Sequence, residues 1–265
     1  MVIANRPVGE LLRGWRRTRH LSQLDLALEA DVSARHVSFV ETGRAKPSRE
    51  MILRLAEQLD IPPRERNTLL VAGGYAPIFP ERSLDDPALR AARDAIARLL
   101  AGHEPYPALA VDRHWTLIAS NRALAPLFAG VEADLLQPPI NVLRLSLHPK
   151  GLAPRIANLG EWRDHLLARV QQQVVFSADP VLTELLAELR RYPAPDAHAA
   201  APGDEAGIIV PLRLRTNEGI LSFLSTTTIF GTPVDVTLAE LAIESFFPAD
   251  AETADALRQI FADRE

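Results

Sequence analysis

The chain has 265 residues, 47% of them hydrophobic and 24% charged, with a formal net charge of −5, the balance of a globular protein of one or two domains with a sizeable core. It has no cysteine, which excludes a disulfide framework, a thiolate metal site and a cysteine nucleophile. No apolar run approaches the roughly 18 residues of a membrane span, and MVIANRPVGELL lacks the apolar core of a signal peptide, so no membrane association and a cytoplasmic location are expected. Charge is unevenly placed: residues 1–80 hold 12 Arg/Lys against 9 Asp/Glu, and residues 81–265 hold 17 against 25. A mildly basic front half fits a nucleic-acid contact, and an acidic rear half argues against the whole chain coating DNA.

Val8 to Thr18 reads as a first helix, with Leu11, Leu12 and Trp15 facing inward and Arg13, Arg16, Arg17 and Arg19 nearby. Leu21 to Pro47 then has the spacing of a helix-turn-helix. Ser22 is a natural N-cap for a helix whose apolar face carries Leu24, Leu26, Ala27 and Leu28. Ala30-Asp31-Val32 fits the tight turn. Ser33 caps a second short helix, Ala34 to Thr42, and Gly43 sits where a left-handed C′ residue belongs. On that helix Val37 and Val40 point inward, while Arg35, Ser38, Phe39 and Thr42 share the opposite face. Arg, Ser and an apolar ring on a short helix suit the major groove, where Arg reads guanine and apolar groups touch the thymine methyl. Arg35, Ser38 and Phe39 are therefore the expected readers, with Ala34 and His36 close to the bases; Ser33, the cap of that helix, is a further expected DNA contact. Ser22, Gln23, Thr42, Lys46 and Arg49 are expected at phosphates, at helix N-termini or just beyond the reading helix. The run SQLDLALEADVSARHVSFVETGRAKPS resembles the lambda-repressor-like, XRE-type DNA-binding domain. That resemblance implies a double-stranded DNA operator and a pairing of Arg16 with Glu41.

Ser48 caps a fourth helix, Arg49 to Leu59, and Pro62-Pro63 opens a fifth that Gly73-Gly74 ends. This gives a DNA-binding domain over residues 1–74. YAPIFPERSLDDP, residues 75–87, reads as a short Pro-rich linker, and residues 88–265 as a second domain. There, Pro87 to Ala101 reads as a helix, and Leu109–Asp112 with Trp115–Ala119 as an antiparallel hairpin. Asn121 is expected to cap a helix through Phe128. A segment Asn141 to His148, a long helix over Ala153 to Val174 and a helix Val181 to Arg191 follow. Residues 193–207 read as a loop rich in Ala and Pro. Ile208–Arg215, Ile220–Ile229 and Val234–Phe246 read as three antiparallel strands, although Leu238–Ile243 alone could pass for a helix; Thr253–Ala262 closes the chain. Two strands, helices and then three strands is the PAS order. The fold class expected is thus an all-α helix-turn-helix bundle followed by an α+β PAS-like domain with a five-stranded antiparallel sheet.

HEPYPALAVDRHWTLIASNRAL, NVLRLSLHPKGLAPRIANLGEWRDHLLARV and FGTPVDVTLAELAIESFFP resemble the ligand-binding domain of MmyB-like transcription regulators. The resemblance implies a small lipophilic ligand, with a fatty acid as a candidate. The expected pocket lies between the late strands and the crossover helices. Leu145, Leu147, Ile156 and Leu159 are its expected crossover wall, with Phe223, Leu224 and Phe230 from the strands. Alternation puts Leu221, Phe223, Ser225 and Thr227 on one face and Ile220, Ser222, Leu224 and Thr226 on the other, and leaves the choice between them open. Arg144, His148 and Arg155 are the expected partners of a carboxylate, Arg155 foremost. Trp115 and Trp162 read as core rather than pocket wall.

Enzyme chemistry finds little support. The seven histidines show no pair at helical metal-ligand spacing and no His-Glu-x-x-His. No Gly-x-Ser-x-Gly elbow or phosphate-cradling glycine loop occurs. No enzyme, cofactor or metal is expected. The reading is a ligand-responsive transcription regulator acting as a homodimer. Its rival is a DNA-binding regulator whose rear domain serves only dimerisation or contact with a partner protein.

Overall fold

A computed structural model describes residues 6–177, 179–193, 210–230 and 235–262. The described chain divides into two compact units. One comprises the described residues of Met1–Asp85 and Gly231–Ala239; the other comprises those of Asp86–Phe230 and Glu240–Glu265.

The first unit is built on five helices: α1 (Val8–Thr18), α2 (Gln23–Glu29), α3 (Ala34–Glu41), α4 (Arg49–Gln58) and α5 (Pro63–Ala72). Three begin on serine caps. The Ser22, Ser33 and Ser48 hydroxyls accept from the backbone N–H of Asp25, His36 and Met51, and the Asp25 carboxylate accepts in return from Ser22 N at 2.8 Å. Each satisfies donors that a helix start leaves open. Asp31 (φ 50°) makes the turn between α2 and α3, and Gly43 (φ 72°) ends α3 in the left-handed region. Leu12, Leu26, Val37, Val40, Ile52 and Leu55 are among its fully buried side chains.

The stretch expected to be a linker is bonded into this unit. Asn67 Oδ1 accepts from Ile78 N and Phe79 N at 3.0 and 3.1 Å, and its Nδ2 donates to Phe79 O at 2.7 Å. Tyr75 O–H donates to Pro47 O. Prolines and charges mark a linker by composition, but a single amide side chain here satisfies three backbone groups of that segment. Residues 235–239, between two late strands in sequence, also belong to this unit as a short helix, α10 (Val236–Ala239). The fully buried Asp235 carboxylate accepts from Arg82 Nη1 at 3.0 Å and from Thr237 N at 2.9 Å.

The second unit has one five-stranded antiparallel sheet: β1 (Ala108–Val111), β2 (Leu117–Ser120), β3 (Leu212–Thr216), β4 (Gly219–Ile229) and β5 (Ala242–Pro248), in the order β2-β1-β5-β4-β3. Between β2 and β3 run α7 (Val142–Leu147), α8 (Leu159–Ser177) and α9 (Pro180–Arg191); α6 (Arg90–Gly102) precedes the sheet and α11 (Ala251–Ala262) follows it. The strands alternate buried and open residues where they meet the helices, as Leu212, Leu214, Leu221 and Phe223 do, the mark of a sheet covered on one face.

Several sequence expectations are corrected in detail. Asn121 does not cap an α-helix. It is buried, accepts from Ala108 N and donates to Leu100 O and Tyr106 O, and only a 3-10 turn, Ala125–Phe128, follows. The long helix starts at Leu159 instead of Ala153, because Asn158 spends its amide on strand backbone at Pro211 O and Arg213 N. The third late run is split into α10 and β5. Most of the loop expected at 193–207 lies outside the described residues.

Candidate functional site

Two features are candidates for function, one in each unit. The first is the outward face of α3. Arg35 and Thr42 are exposed, and Ser38, Phe39, Ala34 and His36 are half-buried beside them, opposite the buried Val37 and Val40. Arg35 lies over the Phe39 ring at 5.2 Å, and Arg44 lies over it at 6.0 Å. The ring thus steadies two cations at this face through their attraction to its π-cloud. Thr42 Oγ1 donates to Ser38 O at 2.7 Å. Lys46 stands 6.0 Å over the Tyr75 ring, and Arg49 is exposed at the first position of α4. Ser22 and Ser33 are exposed at helix N-termini, where open N–H groups suit phosphate.

Gln23 is placed differently. Its Nε2 donates to Glu41 Oε2 at 2.7 Å, which uses one of the two N–H donors of that amide. Glu41 is the hub: Arg16 Nε and Nη2 reach its two oxygens at 2.6 and 2.8 Å. This two-pronged pair ties α1 to α3.

The second feature is an apolar cavity of about 80 Å³ between sheet and helices in the rear unit. Among the described residues nineteen line it, and of these Ser146, Arg169, Ser225 and Glu244 are polar or charged. Such a lining, apolar with a few placed polar groups, is that of a small-molecule site. The β4 face is settled by burial: Leu221 and Phe223 are 2% and 1% exposed, and Phe223 and Ser225 reach the cavity.

Of the residues expected to form the pocket, Leu145 and Phe223 line it. Leu147 and Ile156 are buried in the surrounding core, Leu159 packs against it, and Phe230 is half-buried at the end of β4. Leu224 lies on the opposite face of β4, paired with the exposed Phe247. Trp115 and Trp162, expected as core only, are both core and wall.

The expected anchors do not reach the cavity lining. Arg144 forms a two-pronged pair with Glu188, at 2.8–3.1 Å. That pair holds Glu188 below the usual carboxylate range despite burial, and Tyr192 O–H donates to the same carboxylate. His148 accepts from Lys150 N and meets the Tyr192 ring edge-on. Arg155 donates to the carbonyls of Leu127, Ala129 and Arg215. Arg144 is thus paired with a carboxylate, and His148 and Arg155 are bonded to backbone.

Among the described lining residues the cation is Arg169, on α8. Its Nη1 and Nη2 reach Glu244 at 3.2 and 2.6 Å, Nη2 also reaches Thr227 Oγ1 at 2.6 Å, and its guanidinium lies 4.6 Å over Trp115. Thr227 Oγ1 in turn donates to Glu244 Oε1 at 2.9 Å. Glu244 is 4% exposed. On the next turn of α8, His165 stacks on Trp162; burial lowers its pKa and the Arg169 charge lowers it further, against an opposing pull from Glu244. The signal for Arg169 was present in the sequence: Trp162, Leu166 and Arg169 fall at i, i+4 and i+7, one cation on the cavity-facing row of an otherwise apolar stripe.

Among the described residues no cluster of three or more His, Cys, Asp or Glu could hold a metal, and no helix is long and apolar enough to cross a membrane. A search of curated proteins found no match. A helix-turn-helix family model matches residues 12–66. The model for the MmyB-like transcription regulator ligand binding domain matches residues 92–260, more than half of the chain. The chain thus belongs to the MmyB-like transcription regulators, as a DNA-binding, non-enzymatic regulator whose helix-turn-helix is followed in sequence by a ligand-binding domain.

Proposed function

We propose that this regulator senses a small lipophilic ligand in the cavity of its PAS-like rear domain and that occupancy shifts its affinity for operator DNA. The observation that carries the reading is the cavity lining: fifteen apolar side chains and four polar ones. Water gains little from such a surface, and an apolar group that enters it gains by leaving water. The apolar body of a fatty acid matches this lining in character. On this reading Arg35, Ser38 and Phe39 read bases, with Ser33, Ala34 and His36 beside them. Ser22, Thr42, Lys46 and Arg49 hold phosphates, and Gln23 acts by orienting Glu41. The regulator binds as a homodimer on a near-palindromic site, because one such helix reads only a few base pairs and two-fold pairing sets two of them about 34 Å apart or a multiple of that.

Native mass spectrometry of the purified protein, followed by solvent extraction, tests the ligand. Retained lipophile, or melting temperatures that climb with added lipophile, agrees with sensing. No mass addition and no shift from any lipophile favours the reading in which the rear domain only dimerises. Light scattering at tens of micromolar tests the dimer, and a monomer with and without DNA argues against it.

A further inference from the structure

The polar end of the cavity holds an ion pair that is already neutral. Arg169 gives both terminal nitrogens to Glu244, adds a bond to Thr227 and covers its face with Trp115. Glu244 lies on β5 directly opposite Thr227 on β4, and Ser225 lies one same-face step along β4 from Thr227. Resting on the lipophile-sensing reading, we propose that the cavity selects a long-chain lipophile with an uncharged, hydrogen-bond-donating head, a primary alcohol or primary amide, over the matching carboxylate.

The argument is one of charge and of bonds. An arginine facing an apolar cavity invites a carboxylate only when its own charge is free to meet it. Here the guanidinium is matched by a carboxylate that is itself almost completely buried. A ligand carboxylate at this end would bring a second negative charge against Glu244, and like charges at such a site prevent both from ionising. Displacing Glu244 from Arg169 would instead leave Glu244 buried without its partner, a large cost. A cationic head meets the same obstacle from Arg169.

A neutral donor meets neither obstacle. Glu244 accepts two bonds from Arg169 and one from Thr227, and a carboxylate offers about four lone-pair positions. One position is left for a donor, and an alcohol or amide supplies it while its oxygen accepts from the neighbouring Ser225 hydroxyl. The Ser146 hydroxyl, elsewhere on the wall, already accepts from Trp162 Nε1 at 3.0 Å.

The test is a matched series of equal chain length, tetradecanol, tetradecanamide and tetradecanoate, titrated into the full-length protein at pH 8, where the acid is ionised. Calorimetry and thermal shift should rank alcohol and amide at least about tenfold tighter than the carboxylate, a gap of roughly one hydrogen bond to a charged group. In Glu244→Gln, which frees the Arg169 charge, the carboxylate should gain at least about tenfold and overtake the alcohol. The parent series decides the matter even if that variant folds poorly. Carboxylate binding as tight as or tighter than alcohol and amide in the parent protein overturns this inference and leaves lipophile sensing standing. No binding by any of the three overturns both.

Discussion

Arg16 and Glu41, 25 residues apart in sequence, meet through two parallel bonds of 2.6 and 2.8 Å with their side chains 10% and 2% exposed. Burial works to raise the Glu41 pKa, but the bonds from Arg16 and Gln23 and the charges of Arg16 and Arg13 outweigh it, so the folded value is lowered. Removing one member leaves a buried charge without its partner, which costs about 3–5 kcal/mol. Arg16→Ala and Glu41→Gln should each lower the stability of the first unit by about that much in denaturant unfolding, whereas Gln23→Ala should cost about 1–3 kcal/mol for one bond to a charged acceptor.

The same pair sets a dependence on pH. With the folded pKa of Glu41 below its unfolded value, its stabilisation is complete above the unfolded pKa and is lost as pH falls through the folded one. Stability measured down through the acid range should therefore fall less steeply in Glu41→Gln than in the parent protein. Equal slopes would mean that Glu41 is not held ionised by Arg16.

Gly9 and Gly14 stand on the same helix and should respond oppositely to alanine. A Cβ on Gly9 would lie 2.2 Å from Val40 O and 3.0 Å from Glu41 O, while one on Gly14 would meet nothing within 4 Å. Gly9→Ala should cost about 1–3 kcal/mol by forcing α1 away from α3. Gly14→Ala should gain up to about 1 kcal/mol from helix propensity. Thermal unfolding of the two variants checks the pair in one experiment.

On α3, Arg35→Ala should cost about 1–3 kcal/mol on the preferred operator and flatten base preference at one position. Lys46→Ala should weaken all sequences to a similar degree, since a phosphate carries no sequence information. Selection from a random DNA pool separates the two; an unchanged preferred sequence in Arg35→Ala would show that another residue does the reading.

Ser225→Phe should place a ring in the cavity. The expected outcome is loss of the melting-temperature rise with added lipophile while DNA binding without lipophile persists. A rise of parental size in this variant would place the ligand elsewhere.

How far the sequence carried depended on the range of the interactions. The helix-turn-helix was legible almost residue by residue, because Ser22, Ser33 and Gly43 act on their own neighbours and Val37 and Val40 follow helical period. The sheet was legible as alternation, but alternation alone could not say which side of β4 faces inward; only the helices packed on it decide that. The expected anchors lie away from the cavity lining for the same reason. Arg144, His148 and Arg155 sit near the expected wall in sequence, yet each finds a partner far along the chain, such as Glu188 for Arg144. Arg169 and Glu244 are 75 residues apart, and only the fold brings them to one cavity. The segment after α5 read as a linker because its prolines are visible and the reach of Asn67 is not.

The central claim is that cavity occupancy and operator binding are coupled. Fluorescence anisotropy of a selected operator, titrated with the full-length protein in the absence of lipophile and at saturating lipophile, measures that coupling directly. The account predicts at least about a fivefold change in operator Kd, matched by an equal change in lipophile affinity when operator is bound, since coupling between two sites is reciprocal. Identical operator Kd values with the lipophile demonstrably bound would contradict it.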